Sequence, residues 1–419
     1  MKLLIKNYMA ASLLMIANVN AEAASANFTA SFSPSITNPD NNKFINTTPI
    51  SGYCLQNPEK CQSNEFSLNI PITSTNISPI NKGDSVSFSI PGSKRTIKVT
   101  SSEGETHEVK VSISALGATY QSYFLPGSTD IGDRRLWEGG SFSYPPLPCL
   151  ARLGTYGVNS GTYNFFWTVS SSNDVVCSKT STADREGNLN RIYNTNVMYE
   201  LETPNPLLMG SGVYTGSYTY SVGTGMDFDI GGSKFAQSDT SMTFNFTLYV
   251  NHELKVAMDD ADLNVTLQPC ALSKICSEEQ GKANWERWML TRVTPFLTGR
   301  SGFSISSSGS FTAYLQCEYE SEGSCGLKSD KSTKLVPVQT MLTLPDNIVD
   351  GKTGSGVINR PLHIGRDVLN NIYHTKAFGQ NRSGHIDFQV KQRDVDTMLT
   401  TRPDTYRGAV TVIFDSNIY

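Results

Sequence analysis

The feature that most constrains the fold is an alternation of apolar and polar residues with a period of two, which recurs along the chain. Successive side chains of a β-strand point to opposite faces, so each such run predicts a strand with one buried face. Clear runs lie at residues 66–72, 86–90, 97–99, 109–113, 244–250, 263–267, 311–315, 386–390 and 410–414.

Helical spacing is confined to three short segments. The residues that carry it are Trp285, Trp288 and Met289; Val368, Leu369, Ile372 and Tyr373; and Val395, Met398 and Leu399. We interpret these as short helices added to an all-β chain. Many short strands separated by turn residues predict antiparallel, immunoglobulin-like β-sandwiches.

A stretch rich in glycine and small polar residues, at 223–241, predicts a domain boundary. Residues 213–220 before it are typical of a closing strand, and residues 244–250 after it of an opening strand. We therefore predict two domains, at residues 24–235 and 236–419, each with four cysteines. We expect the cysteines of each domain to oxidise separately, with no disulfide across residue 235.

The N-terminus has the pattern of a secretory signal peptide. Lys2 and Lys6 precede an apolar stretch at residues 8–19, and Ala21-Glu22-Ala23 follows as a small-x-small cleavage site. The stretch is shorter than the roughly 20 residues needed to span a bilayer. We predict that residues 1–23 are removed on export, although a second small-x-small triplet, Ala24-Ser25-Ala26, leaves the cleavage site open by a few residues.

The cysteines agree with export. An even number of cysteines in an exported chain predicts disulfides, and the short spacings favour pairing between neighbours without fixing the connectivity. The eight are Cys54, Cys61, Cys149, Cys177, Cys270, Cys276, Cys317 and Cys325.

Charge and motifs exclude several classes of function. The formal net charge is −4, only 17% of residues are charged, and no basic block occurs, so we expect no nucleic-acid partner. The five histidines are scattered and no C-x-x-C occurs, so we predict no metal and no cofactor. No catalytic signature is present. Paired carboxylates for glycoside cleavage remain an alternative, with Asp130, Asp133 and Glu138 as candidates.

A loop with many glycines and prolines, at residues 123–144, is the candidate receptor site. Flat aromatic rings stack on sugar faces, and nearby polar groups bind the hydroxyls. We select Tyr123, Arg134, Arg135 and Trp137 as candidate receptor-binding residues. The aromatic run at 165–167 is better explained as a core strand.

The C-terminus carries a family resemblance. Tyr406-Arg407-Gly408 is followed by alternating apolar residues at 410–414, five residues before the terminal Tyr419. This pattern resembles the final strand of chaperone–usher pilus subunits. A signal peptide followed by two disulfide-bearing β-domains is similar to the two-domain tip adhesins of Gram-negative fimbriae.

The resemblance implies that the second domain is a pilin-type sandwich lacking one strand, which a periplasmic chaperone supplies first and a neighbouring pilus subunit supplies later. Val410, Val412 and Phe414 would form the contact strand, and Tyr419 would present the carboxylate that the chaperone anchors. It also implies an outer-membrane usher as partner, and a place outside the cell, at the tip of the fimbrium.

Residues 27–33 also alternate, and two readings stay open. They form either a strand of the first domain or a donor strand for a neighbouring subunit. The function predicted from the sequence is a fimbrial adhesin, not an enzyme, that attaches to a surface receptor such as a glycan. The alternative is a secreted carbohydrate-active enzyme or carbohydrate-binding β-sandwich protein.

Overall fold

The structure is a computed structural model that describes residues 24–35, 37, 43–122, 136–152, 162–169, 173–184, 189–367 and 369–416. The predicted signal peptide lies outside the described residues. Among the helices of the described part, none is long and apolar enough to cross a membrane.

The chain is all-β, as its alternation predicts. Its strands are β1 Ala24–Phe32, β2 Ile45–Asn46, β3 Phe66–Asn69, β4 Ser74–Asn76, β5 Ser85–Pro91, β6 Arg95–Ser101, β7 Thr106–Ser122, β8 Cys149–Ala151, β9 Thr162–Val169, β10 Asp174–Thr180, β11 Asn190–Glu202, β12 Gly212–Ser221, β13 Phe235–Gln237, β14 Ser241–Val250, β15 Leu254–Ala257, β16 Gln268–Cys270, β17 Phe296–Ser307, β18 Phe311–Cys317, β19 Glu320–Ser321, β20 Ser324–Ser329, β21 Leu335–Thr343, β22 Ile348–Asp350, β23 Arg360–Pro361, β24 Ile372–Thr375, β25 Gly379–Val390, β26 Tyr406–Arg407 and β27 Val410–Asp415. The α-helices are α1 Tyr53–Gln56, α2 Glu278–Thr291 and α3 Gln392–Leu399.

A first hydrophobic core lies between a large sheet and a small one. The large sheet has the order β13-β4-β11-β7-β6-β12-β14-β1-β2, with β3, β8 and β9 as branches, and the small sheet pairs β5 with β10. Phe88 of β5 joins the two, because its ring centroid lies 4.8 Å from that of Phe165 and 5.2 Å from that of Trp167, both on β9. The aromatic run at 165–167 is thus part of a buried strand, as expected.

The extent of this core corrects the predicted boundary. Strand β14 pairs with β12 along its whole length and with β1 in parallel. Its alternate residues Met242, Phe244, Phe246, Leu248 and Val250 are at most 1% exposed within the first core. Residues 244–250 therefore do not open the second domain. The glycine-rich stretch is instead a connection between two strands of the same sheet.

Strand β1 resolves the two readings of residues 27–33. Ala24, Ala26, Phe28, Ala30 and Phe32 are all buried in the first core. The alternating segment is a strand of the first sandwich in this structure.

A second core lies between two other sheets, formed after residue 253. One has the order β15-β17-β25-β21-β20-β19, and the other has the order β22-β24-β18-β27. Phe414 of β27 contacts Phe303 of β17 at 5.4 Å between ring centroids and Phe311 of β18 at 6.0 Å. These contacts make the second unit a sandwich as well.

Two of the three predicted helical segments are helical. Helix α2 contains Trp285 to Met289, and Ser277 and Gln280 form a reciprocal capping box at its start. Helix α3 contains the segment at 395–399. The prediction for 369–373 is wrong, because Ile372–Thr375 is strand β24, whose Tyr373 and Thr375 are buried. Val368 lies outside the described residues.

Four disulfides join neighbouring cysteines, which confirms the pairing that the spacing favours. The pairs are Cys54–Cys61, Cys149–Cys177, Cys270–Cys276 and Cys317–Cys325. Two lie in each core unit, and none connects the two units.

Candidate functional site

Two edge strands of the second sandwich face each other across an open groove. Strand β15 pairs only with β17, and strand β27 pairs only with β18, within the described part of the chain. One side of each strand therefore presents backbone N–H and C=O groups to no neighbouring strand. Such edges are sites at which another strand can pair.

The groove between these strands is apolar and has a volume of about 620 Å³. Leu254 and Val256 form the wall on the β15 side, where they alternate with exposed residues. The apolar residues of the other wall and of the floor are Val410, Val412, Phe414, Phe303, Ile386 and Phe388. The shape and chemistry suit an extended segment whose alternate side chains are apolar.

The groove is an incompletely closed part of the second core. Leu254, Val256, Val410, Val412 and Phe414 all pack against that core, yet each remains only partly buried. Full burial of an aliphatic or aromatic side chain is worth about 1.5–3 kcal/mol relative to exposure. An inserted strand would gain part of that free energy at each position.

The first sandwich has no such opening beside its own last strand. Strand β14 is flanked by β12 on one side and by β1, in parallel, on the other. Phe28 of β1 packs against Phe244 and Phe246 of β14, at centroid distances of 4.8 and 4.9 Å. A strand in parallel with the last strand thus closes the first core, and the second core has no equivalent among the described residues.

Charged and polar groups flank the groove. Asp262 lines it and accepts a hydrogen bond from the Gly302 backbone N–H at 2.7 Å. At the end of β27, Arg366 lies 3.4 Å from the Asp415 carboxylate. The sequence identified the β27 wall through its alternation and missed the β15 wall, because residues 254–256 form too short a run to stand out.

The predicted receptor residues are not brought together in the described part of the structure. Tyr123, Arg134 and Arg135, and also Tyr419, lie outside the described residues. Trp137 is only 1% exposed, and its ring packs against Tyr120 and Phe142 at 5.7 and 4.8 Å. Its selection as a receptor contact is corrected by this burial, because its indole is inside the first core.

The described residues provide little that points to catalysis. Glu138 is exposed, whereas Asp130 and Asp133 lie outside the described residues. No cluster of three or more potential metal ligands occurs in the described ranges.

Comparisons with known proteins add little. No family model matches the chain, and no curated protein matches it. One solved structure that aligns with it is the CsuC–CsuE chaperone–tip adhesion subunit pre-assembly complex from the archaic chaperone–usher Csu pili of Acinetobacter baumannii. The alignment has 11% sequence identity and a TM-score of 0.20, and it covers 94% of this chain and 99% of that chain. At these values the likeness assigns neither a family nor a function.

Proposed function

We propose that this chain is an exported fimbrial adhesin whose second sandwich is completed by a strand from another protein. The observation that carries the proposal is the apolar groove between the unpaired edges of β15 and β27. A strand inserted there would pair with backbone groups and place alternate apolar side chains on the groove floor. The resemblance of residues 406–414 to the last strand of pilus subunits independently points to the same wall of the groove.

The partners follow from this proposal. A periplasmic chaperone would supply the strand during export, and a neighbouring pilus subunit would replace it after passage through an outer-membrane usher. Val410, Val412 and Phe414 would contact the inserted strand directly, since they line the groove. The C-terminal carboxylate of Tyr419 would be the chaperone's anchor.

The first sandwich would then be the receptor-binding unit at the fimbrial tip. Its core is closed by its own strand β1, so it needs no donor, and β1 is not free to act as a donor. This favours a terminal position in the fimbrium. A surface receptor, such as a glycan, would bind to this unit. We place the unit at residues 24–250 and the pilin-like unit after residue 253, because the two cores divide there.

The proposal is tested by expressing the tagged chain in its native bacterium and analysing its periplasmic partners. We expect it to be recovered with a chaperone of the chaperone–usher class, identified by mass spectrometry. Val256→Asp should abolish recovery of the complex, because a charge would enter the apolar groove. Lys255→Asp is the matched control, since Lys255 points away from the groove on the same strand.

Two results would count against the proposal. One is a chain that is stable and monomeric in the periplasm without any chaperone. The other is a chaperone complex that forms equally well with the Val256→Asp and Lys255→Asp variants.

A further inference from the structure

A second cavity, of about 430 Å³, lies on the outer face of the first sandwich, away from the groove. It is enclosed by the loop that follows the Cys54–Cys61 disulfide and by strands β7, β9 and β11. Its volume is within the range of about 300–1,000 Å³ that is usual for small-ligand sites. Its lining is mainly polar.

The floor of this cavity contains a β-bulge. In the pairing of β7 with β11, Met198 is opposite Ala115 and Tyr199 is opposite Ile113, so Ser114 is the extra residue. Ser114 lines the cavity, and its hydroxyl lies 3.4 Å from the Met198 carbonyl oxygen. Bulges re-aim side chains and occur often beside binding sites.

The wall of the cavity at Arg152 is rigid, because hydrogen bonds and a ring contact hold the guanidinium of this residue in place. Arg152 donates to both carboxylate oxygens of Glu65, at 2.9 and 2.6 Å, and to the Lys60 carbonyl oxygen. Its guanidinium also lies 5.6 Å from the centre of the Tyr53 ring, which stacks on Phe166. The hydrogen bonds from Arg152 lower the pKa of Glu65, so the pair stays ionised. The wall is therefore preorganised before any ligand arrives.

The charges of the lining select against an anion. The charges of Arg152 and Glu65 cancel in their ion pair. The exposed carboxylate of Glu200 pairs with no cation in the described ranges, so the cavity carries a net negative charge. Carboxylate, amide and hydroxyl groups can all bind hydroxyls, here from Glu200, Gln62, Asn64 and Ser114.

We infer that this cavity binds a small saccharide without an acidic group, either neutral or amino-substituted. Apolar surface from the partly exposed Val169 would contact the C–H groups of the ring, while the polar groups would bind its hydroxyls. This inference deepens the proposed attachment function, on which its biological meaning rests. It places the saccharide site on the disulfide-closed outer face rather than on the loop at 123–144.

The test is saturation-transfer NMR on the full exported chain. The probes are the methyl glycosides of glucose, galactose and mannose, N-acetylglucosamine and glucosamine, with glucuronate as the acidic counterpart. We expect at least one neutral or amino sugar to bind and glucuronate not to bind. Ser114→Trp should fill the cavity and weaken binding by about tenfold or more, consistent with the loss of about 1.4 kcal/mol.

Controls separate this effect from misfolding. Ser217→Trp makes the same change at an exposed strand position outside the cavity, and binding should be unchanged. Glu200→Gln keeps the size of the side chain and should also weaken binding, whereas Glu103→Gln, in the turn between β6 and β7, should not. Circular dichroism identifies any variant that does not fold.

The inference is overturned if no probe binds, if glucuronate alone binds, or if the folded Ser114→Trp and Glu200→Gln variants bind as the unchanged chain does. The NMR measurement can be made with or without a chaperone bound in the groove, because the cavity and the groove share no lining residue. Sugar binding by a chain that accepts no donor strand would support the saccharide site and contradict the pilus proposal. A chain that accepts a donor strand but binds no sugar would support the pilus proposal and contradict the saccharide site.

Discussion

Burial decides what individual residues of the first sandwich can do, and Trp137 is the clearest case. Its aromatic character and loop position favoured a receptor contact, but composition cannot show which way a side chain points. In the structure it belongs to a cluster of rings with Tyr120 and Phe142. For Phe165 and Trp167 the sequence is sufficient, because a continuous aromatic run is better explained as a core strand than as a receptor contact, and both residues are buried.

We predict that Trp137→Ala lowers the free energy of unfolding by about 3–5 kcal/mol, since it removes a large buried ring and leaves a cavity. Urea denaturation monitored by circular dichroism measures this change. Tyr144→Ala is the control, because Tyr144 comes from the same predicted loop but is 46% exposed, and its loss should cost less than about 1 kcal/mol. Equal stability losses in the two variants would contradict the assignment of Trp137 to the core.

His252 lies at the junction of the two units. Its Nε2 is 2.9 Å from the Met209 carbonyl oxygen, and its Nδ1 is 3.3 Å from the Ser308 hydroxyl. The Ser308 hydroxyl accepts from the Glu253 N–H, so it can donate to Nδ1 while Nε2–H donates to Met209. This arrangement suits the neutral imidazole, and burial lowers the pKa of His252 below its ordinary 6.5.

The lowered pKa of His252 determines how the free energy of unfolding depends on pH. Above about pH 6.5 the imidazole is neutral in both states, so it contributes no pH dependence. Below that pH His252 binds a proton in the unfolded chain at a higher pH than in the folded chain, so stability decreases as the pH decreases. We predict that His252→Gln reduces the loss of stability between about pH 7.5 and about pH 5.5. His374 and His385, whose pKa values are also lowered by burial, would retain part of it.

Urea denaturation at both pH values measures this effect. Asn251→Gln is a control at the neighbouring exposed position, and its pH dependence should match that of the unchanged chain. An unchanged pH dependence in His252→Gln would show that this imidazole titrates alike in both states.

Alternation identifies strands well, except at residues 263–267, which are not a strand in the structure, but it does not say which sheet each strand joins. Residues 244–250 read as a strand, and they form one. Their partner β1 lies more than 200 positions earlier, as the Asn245–Asn27 side-chain contact at a separation of 218 illustrates. No local pattern contains that pairing. The sequence therefore predicts the boundary in the glycine-rich stretch at 223–241 instead of at the end of the first core.

The position of β14 gives a prediction about fragments. A fragment of residues 24–252 contains every strand of the first core and should be soluble, monomeric and cooperative in unfolding. A fragment of residues 24–235 lacks β14, so it leaves the apolar faces of β1 and β12 without their shared partner, and it should aggregate. Size-exclusion chromatography and thermal unfolding distinguish the two. Equal behaviour would restore the boundary at residue 235.

The two sandwiches differ in how they are completed. The first is closed by its own β1, whereas the second leaves an apolar groove between β15 and β27. The alternation at 410–414 and its resemblance predicted an incomplete second sandwich. The opposite wall and the volume of the groove follow only from the packing of distant strands. We expect this groove to accept a strand from another protein.

The most direct test is hydrogen–deuterium exchange in the β27 segment, Val410–Asp415. It compares the chain freed of chaperone and kept dilute with a version carrying a linker and a strand of alternating valine and threonine at its C-terminus. We predict that the β27 amides not bonded to β18 exchange rapidly in the first chain and become strongly protected in the second. Val256→Asp in the extended chain should remove that protection. The groove does not accept a strand if β27 is already as protected as β14 without the added strand, or if the added strand leaves the exchange of β27 unchanged.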